Sequence, residues 1–425
     1  MLLLLAALQA APDSIPVVTL REALQRAAGL DPFYVSAVGQ VDNAVWARRN
    51  AFAVFLLPAI TGDANARRTS PPSFFFTDTL LRVPTLWSAQ LTARYDLFTG
   101  GQKLAELGRS AAALEGARAN ELLQRFETAF FTESDYYDVL EGQELARVAR
   151  ERVRRAETQL GVARARVVSG AAVQTDSLEL RLELTRARVD LLARESALRI
   201  ARLQLGRRIG TAGPVDAVPL DSAAMPELPI ALTDAITQAA QEGPQYRIAA
   251  ANERAARASY RAQLGAYLPR LSVTFNANAL DTEFFPNAFK QTTLQFTASF
   301  PLWDNGQREL SLSRARVNRD VARAVWEDMD RAVQRDVTAA YDLYATARAT
   351  AELAQTGLNV ARENYRVQQS RYSSGATDIV DLLRAQEGLS GAEVQLVQAR
   401  YTTRLALTGV EVILGRRLFS DKDTP

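Results

Sequence analysis

Two hydrophobic periodicities alternate along this chain, and each occurs twice. In LWSAQLTARYDLF (86–98), Trp87, Ala89, Leu91, Ala93, Tyr95 and Leu97 share one face, with Ser88, Gln90, Thr92 and Arg94 opposite. TLQFTASFPLW (293–303) sets Leu294, Phe296, Ala298, Phe300 and Leu302 against Gln295, Thr297 and Ser299. LSVTFNANA (271–279) repeats the plan, and 57–66 follows it less cleanly. Period two is the signature of a strand. One apolar and one small polar face over roughly 9–11 residues is the pattern of a membrane β-barrel. A half-buried soluble sheet shares that alternation. The long polar-aromatic connections and the rings at strand ends (Trp87, Tyr95, Phe98, Phe300 and Trp303) favour the barrel, where aromatics form interfacial belts.

The second periodicity is helical. No proline lies between Pro84 and Pro214, or between Pro301 and Pro425. Both stretches are rich in Ala, Leu, Arg and Glu, and proline would break a helix in either. The pattern predicts helices over about 102–167 and 307–372, each roughly 100 Å long at 1.5 Å per residue. Ser169-Gly170 and Ser373-Ser374-Gly375 interrupt them, and further helices follow to about 205 and 414. Each stretch is therefore a long antiparallel helical hairpin. Runs of alanine (Ala111–Ala113, Ala339-Ala340) allow close helix packing.

These elements fall into two tandem halves. VTLREALQRAAGLDPFYVSAVGQ (18–40) aligns with IALTDAITQAAQEGPQYRIAAAN (230–252). YDLFTGGQK (95–103) aligns with FPLWDNGQR (300–308), and RVVSGAAVQTDSL (166–178) with RYSSGATDIVDLL (371–383), each 205 positions on. LGRRI (205–209) matches LGRRL (414–418). The reading is a first repeat at 12–211 with a β-hairpin at 56–98 and a helical hairpin at 102–208. A linker at 212–229 leads to a second repeat at 230–414, with hairpins at 267–303 and 307–414, and a tail at 415–425. Gly101 and Gly306 mark the strand-to-helix turns. Four strands per chain cannot close a barrel, which needs at least about eight. An open edge cannot face lipid, so the barrel must be shared between two, three or four chains.

Composition narrows the chemistry. The 425 residues carry 50 basic and 48 acidic side chains, a net charge of +2 with no basic cluster, so nucleic acid is not an expected partner. There is no Cys, hence no disulfide framework, thiol nucleophile or acylated lipoprotein cysteine. There is no His, which removes the commonest general base and metal ligand. No catalytic, cofactor or metal constellation emerges. Gly100-Gly101-Gln102-Lys103 lacks the spacing of a phosphate loop. MLLLLAALQAA at 1–11 reads as a signal peptide without a basic n-region.

The duplicated plan, the two GQ turns and the two RxxSGA tips followed by Asp176 and Asp381 resemble the TolC-like outer membrane efflux protein family over nearly the whole chain. The resemblance implies a mainly α fold with membrane β, in a homotrimer with a 12-stranded barrel in the outer membrane. A long α-helical barrel continues it through the periplasm. It implies a passive duct that docks, through a periplasmic adaptor (membrane fusion) protein, onto an inner-membrane transporter of RND, ABC or MFS type. The tips at Gly170 and Gly375 would meet the adaptor. By motif position Tyr372, Asp176 and Thr175 match a periplasmic gate latch, and Asp381 a ring carboxylate. Thr377 stands where some members place a latch arginine, and Arg384 where a second ring acid occurs. The alternative class is a soluble long-helix coiled-coil scaffold with no pore.

Overall fold

The computed structural model describes residues 15–74, 82–220, 226–285 and 288–419. The signal segment expected at 1–11 lies outside them, as do part of the 212–229 linker and the end of the tail. In chain order the elements are β1 (Val17–Val18), α1 (Leu20–Ala28), α2 (Pro32–Leu56), β2 (Ala59–Phe74), β3 (Arg82–Phe98), α3 (Gln102–Val168) and α4 (Gln174–Arg208). There follow β4 (Asp216–Ala217), α5 (Leu232–Glu242), α6 (Pro244–Leu264), β5 (Arg270–Asp281), β6 (Phe289–Ser299), α7 (Gln307–Ser373) and α8 (Ile379–Leu414). The aligned prolines Pro32 and Pro244 open α2 and α6, where a missing N–H costs nothing. The chain divides into two compact units, Met1–Val38 with Asn120–Tyr246 and Asp330–Pro425, and Gly39–Ala119 with Arg247–Met329.

The second unit holds an antiparallel sheet in the order β2-β3-β5-β6. Its register separates the chemistry cleanly. Asp63, Gln90, Asn278 and Gln291 form one cross-strand row, and Thr61, Thr92, Asn276 and Thr293 the next on the same face. Ile60, Ala93, Phe275 and Leu294 form a row on the other. β2 and β6 are the edges, and their outer ladders have no partner among the described residues.

Strand ends and one register differ from the sequence reading: β2 runs on to Phe74 and β3 begins at Arg82. β6 ends at Ser299, so Phe300 and Trp303 lie beyond the strand; Pro301 has no N–H to offer the ladder. In β3 the register shifts between Asp96 and Phe98, which places Phe98 opposite Leu271. This bulge at Leu97 turns Phe98 onto the apolar face that strict alternation gives to Leu97.

The first unit is helical, with two buried clusters. In one, Ala156, Leu160 and Ala163 of α3 pack with Leu180 of α4, Leu358 and Tyr365 of α7, and Leu382 and Leu389 of α8. In the other, Tyr136 is fully buried beneath the parallel pair β1–β4 and its hydroxyl donates to Val218 O at 2.8 Å. The LGRR repeats find their purpose here. Arg208 donates from Nε to Asp135 Oδ2 at 2.6 Å. Arg417 bridges two buried carboxylates, Glu133 and Glu411, at 2.6 Å each. Both repeats thus close onto one stretch of α3.

Candidate functional site: the strand–helix border and the hairpin tips

At the border the chain changes from period 2 to period 3.6 within a few residues. It does so twice, by the same means. Gly100 and Gly101 have φ of 63° and 82°; Asn305 and Gly306 have 57° and 80°. Left-handed backbone is natural to glycine, and asparagine is among the few other residues that tolerate it. The helix then starts on matching caps. Thr99 O accepts the Gln102 N–H and Asp304 O the Gln307 N–H, both at 3.2 Å. Thr99 Oγ1 accepts the Lys103 N–H, and Asp304 Oδ2 that of Arg308. The aligned bases each cover a tyrosine ring, though not an aligned one: Lys103 Nζ lies 4.1 Å from the Tyr95 ring centre, and Arg308 Cζ 5.1 Å from that of Tyr267. A Cβ on Gly100 would stand 2.1 Å from Gly265 O, so this first turn is also a close backbone crossing.

The aromatics predicted as interfacial sort by register. Trp87 pairs with Asp281, the last residue of β5, where its ring meets Phe284 edge-on at 5.2 Å. Tyr95 and Phe98 sit at the end of β3 next to the helices, and Phe300 and Trp303 follow β6 on that side, largely exposed. Trp87 and Tyr95 are eight residues apart, roughly 27 Å along a strand, or about 20 Å across a bilayer at a barrel's usual tilt. That spacing suits two belts flanking an apolar band.

At the far end of the long helices the two tips are built alike. Gly170 and Gly375 have φ of 74° and 79°. Ala171 N–H reaches Arg166 O and Ala376 N–H reaches Arg371 O, each at 2.8 Å. Gly170 and Gly375 donate to Val167 O and Tyr372 O, each at 3.1 Å. Both are Schellman closures that satisfy the last carbonyls of a helix.

Tyr372 and Asp176 come together here: the buried tyrosine hydroxyl donates to Asp176 Oδ2 at 3.3 Å. Burial first, and the Asp176 carboxylate second, push the Tyr372 hydroxyl above its ordinary value. It therefore keeps its proton and remains a donor. Arg166 completes the arrangement, donating from Nη1 to Tyr372 O and from Nη2 to Ala171 O at 3.2 Å, with its guanidinium 4.8 Å from the Tyr372 ring centre. The repeated RxxSGA motif contains that arginine, and its recurrence was the signal available for it.

Thr175 does not join this group. It is exposed and makes no side-chain bond among the described residues, because one residue along the first turn of α4 points about 100° away from Asp176. Asp381 is differently placed again. Its N–H caps on Asp378 Oδ1 at 3.1 Å, its Oδ2 accepts from Thr377 Oγ1 at 2.9 Å, and Arg384 Nη1 lies 3.4 Å from its Oδ1. The carboxylate is partly compensated within its own helix.

The outer membrane efflux protein family model matches residues 35–211 and 235–416. The chain is 22% identical over 351 residues to outer membrane efflux protein BepC of Brucella suis, spanning 82% of this chain and 75% of BepC. It is 24% identical over 360 residues to the probable efflux pump outer membrane protein TtgC of Pseudomonas putida, spanning 81% and 72%. The outer membrane protein VceC of Vibrio cholerae superposes with a TM-score of 0.79 at 14% identity, over 94% of this chain and 97% of VceC. The CmeC outer membrane channel of Campylobacter jejuni gives 0.79 at 15% identity, over 95% and 87%.

Proposed function

Because this chain belongs to the outer membrane efflux protein family, we propose that it is the outer-membrane duct of a tripartite export system, passing small molecules or proteins from the periplasm to the exterior. One observation carries the reading. A sheet with an apolar face, a polar face and two open edges runs straight into helices of 67 residues. Such a sheet cannot sit in lipid alone, and copies of the chain must close it. Three copies give the twelve strands that the family resemblance implies. The apolar rows face lipid, and the amide and hydroxyl rows line the lumen. Nothing in the sheet favours a pore-free coiled-coil scaffold.

The chain is a conduit with no bond chemistry. The energy for export comes from an inner-membrane transporter of RND, ABC or MFS type, reached through a periplasmic adaptor at the tips around Gly170 and Gly375. The Tyr372–Asp176 bond ties the two hairpins of one chain together and holds the closed state. Asp381 faces the constriction as a weak ring, because Arg384 offsets much of its charge. Trp87 lies at the outer membrane–water boundary, and Tyr95, Phe98, Phe300 and Trp303 at the inner one.

The test is fractionation followed by conductance. The protein is expected in outer membranes as a trimer that resists SDS until heated, and to conduct ions in a planar bilayer. Recovery as a soluble monomer would overturn the proposal.

A further inference from the structure

The two hairpin tips are repeats of each other, yet only one of their two arginines is used. Arg166 reaches from the first hairpin to the second, where it donates to Tyr372 O. That carbonyl also accepts the Gly375 N–H. A shift of 205 residues turns Arg166 into Arg371, Val167 into Tyr372, Gly170 into Gly375 and Asp176 into Asp381. The shifted contact would run from Arg371 on the second hairpin to Val167 O on a first hairpin. Within one chain it does not form. Arg371 is exposed and its guanidinium has no partner among the described residues. Val167 O accepts the Gly170 N–H, as its repeat partner accepts that of Gly375, but no side chain of the described residues donates to it. A donor and an acceptor at repeat-equivalent positions are thus both without this contact among the described residues, on sides of the two tips that do not meet within one chain.

We infer that Arg371 clamps the first-hairpin tip of a neighbouring copy of this chain, donating to its Val167 carbonyl as Arg166 does to Tyr372 O. The inference rests on the shared-barrel reading, in which first and second hairpins alternate around a ring. A charged donor on a carbonyl whose other lone pair is already engaged makes the stronger class of hydrogen bond. The two kinds of seam are not equal, however. Within a chain the arginine is reinforced by the Tyr372 hydroxyl on Asp176. Between chains valine replaces the tyrosine, and Asp381 turns to Thr377 and Arg384 instead. The ring of tips is therefore weakest between copies, and it parts there first.

The absence of native cysteine makes the test clean. Arg371→Cys with Val168→Cys, bridged by a short bis-maleimide on the intact oligomer, is expected to give two- and three-chain species on a denaturing gel. The repeat-equivalent pair, Arg166→Cys with Ser373→Cys, is expected to bridge within one chain and run as a monomer. Either single variant should give no ladder. A trimer of correct native mass in which Arg371→Cys/Val168→Cys bridges within the chain, or not at all, overturns the clamp and leaves the duct standing. A native mass of one chain removes the oligomer, and the clamp with it.

Discussion

Tyr372 shows how one hydroxyl can hold two helical hairpins while remaining a good donor at any physiological pH. Its folded environment raises its pKa, so the folded chain holds the proton more tightly than the unfolded chain. The contribution is complete below the unfolded value, near 10, and is lost as pH climbs through the raised one. Tyr372→Phe removes the bond to Asp176 without removing the ring under Arg166. It should cost about 1 kcal/mol in denaturant melts and raise bilayer conductance at neutral pH. In the wild type, the same opening should appear only in strong alkali. Thr175→Ala should change neither reading. Equal conductance in all three proteins would detach the tyrosine from the gate.

Among the elements, the border turns and the LGRR clamps carry the sharpest consequences. Gly100→Ala drives a Cβ into Gly265 O and should abolish assembly, whereas Gly101→Ala meets open space and costs about 1–3 kcal/mol of backbone strain. Yields of heat-dissociable oligomer would separate the two. Arg417→Met leaves Glu133 and Glu411 buried together without a cation, a loss of about 3–5 kcal/mol. Burial already pushes the Glu411 carboxyl up, so the folded state prefers it protonated and stability falls as pH rises through that value. The variant should therefore melt higher in mild acid than at neutral pH. Much of this was legible in the sequence, because period and repeat are local: the proline-free runs gave the long helices, and the alternation gave the strands. What escaped was set by contacts distant in sequence. No pattern announces that Gly100 crosses Gly265, that a bulge swaps Leu97 for Phe98, or that Arg166 lies over Tyr372. Motif position places Thr175 beside Asp176, but position does not fix which way a side chain points, and its side chain is exposed within one chain.

For the whole molecule the open edges of β2 and β6 are decisive, since they make the sheet of one chain an incomplete object. Phe296→Arg, on the apolar face, should cost about 2–4 kcal/mol per chain in a bilayer and deplete the protein from outer membranes. Gln295→Arg, one residue away on the polar face, should assemble normally and alter only conductance; equal depletion would reverse the assignment of faces. The Arg417 bridge also couples the two repeats. Arg208 lies 73 residues from Asp135, within the first repeat, whereas Arg417 lies 284 residues from Glu133, in the second. Among the described residues, both side chains that bond Glu133, Thr408 and Arg417, come from the second repeat. A chain interrupted before residue 417 would lack the cation that Glu133 and Glu411 share, and should melt lower than the full chain. The stability of the first repeat is thereby made to depend on the presence of the second.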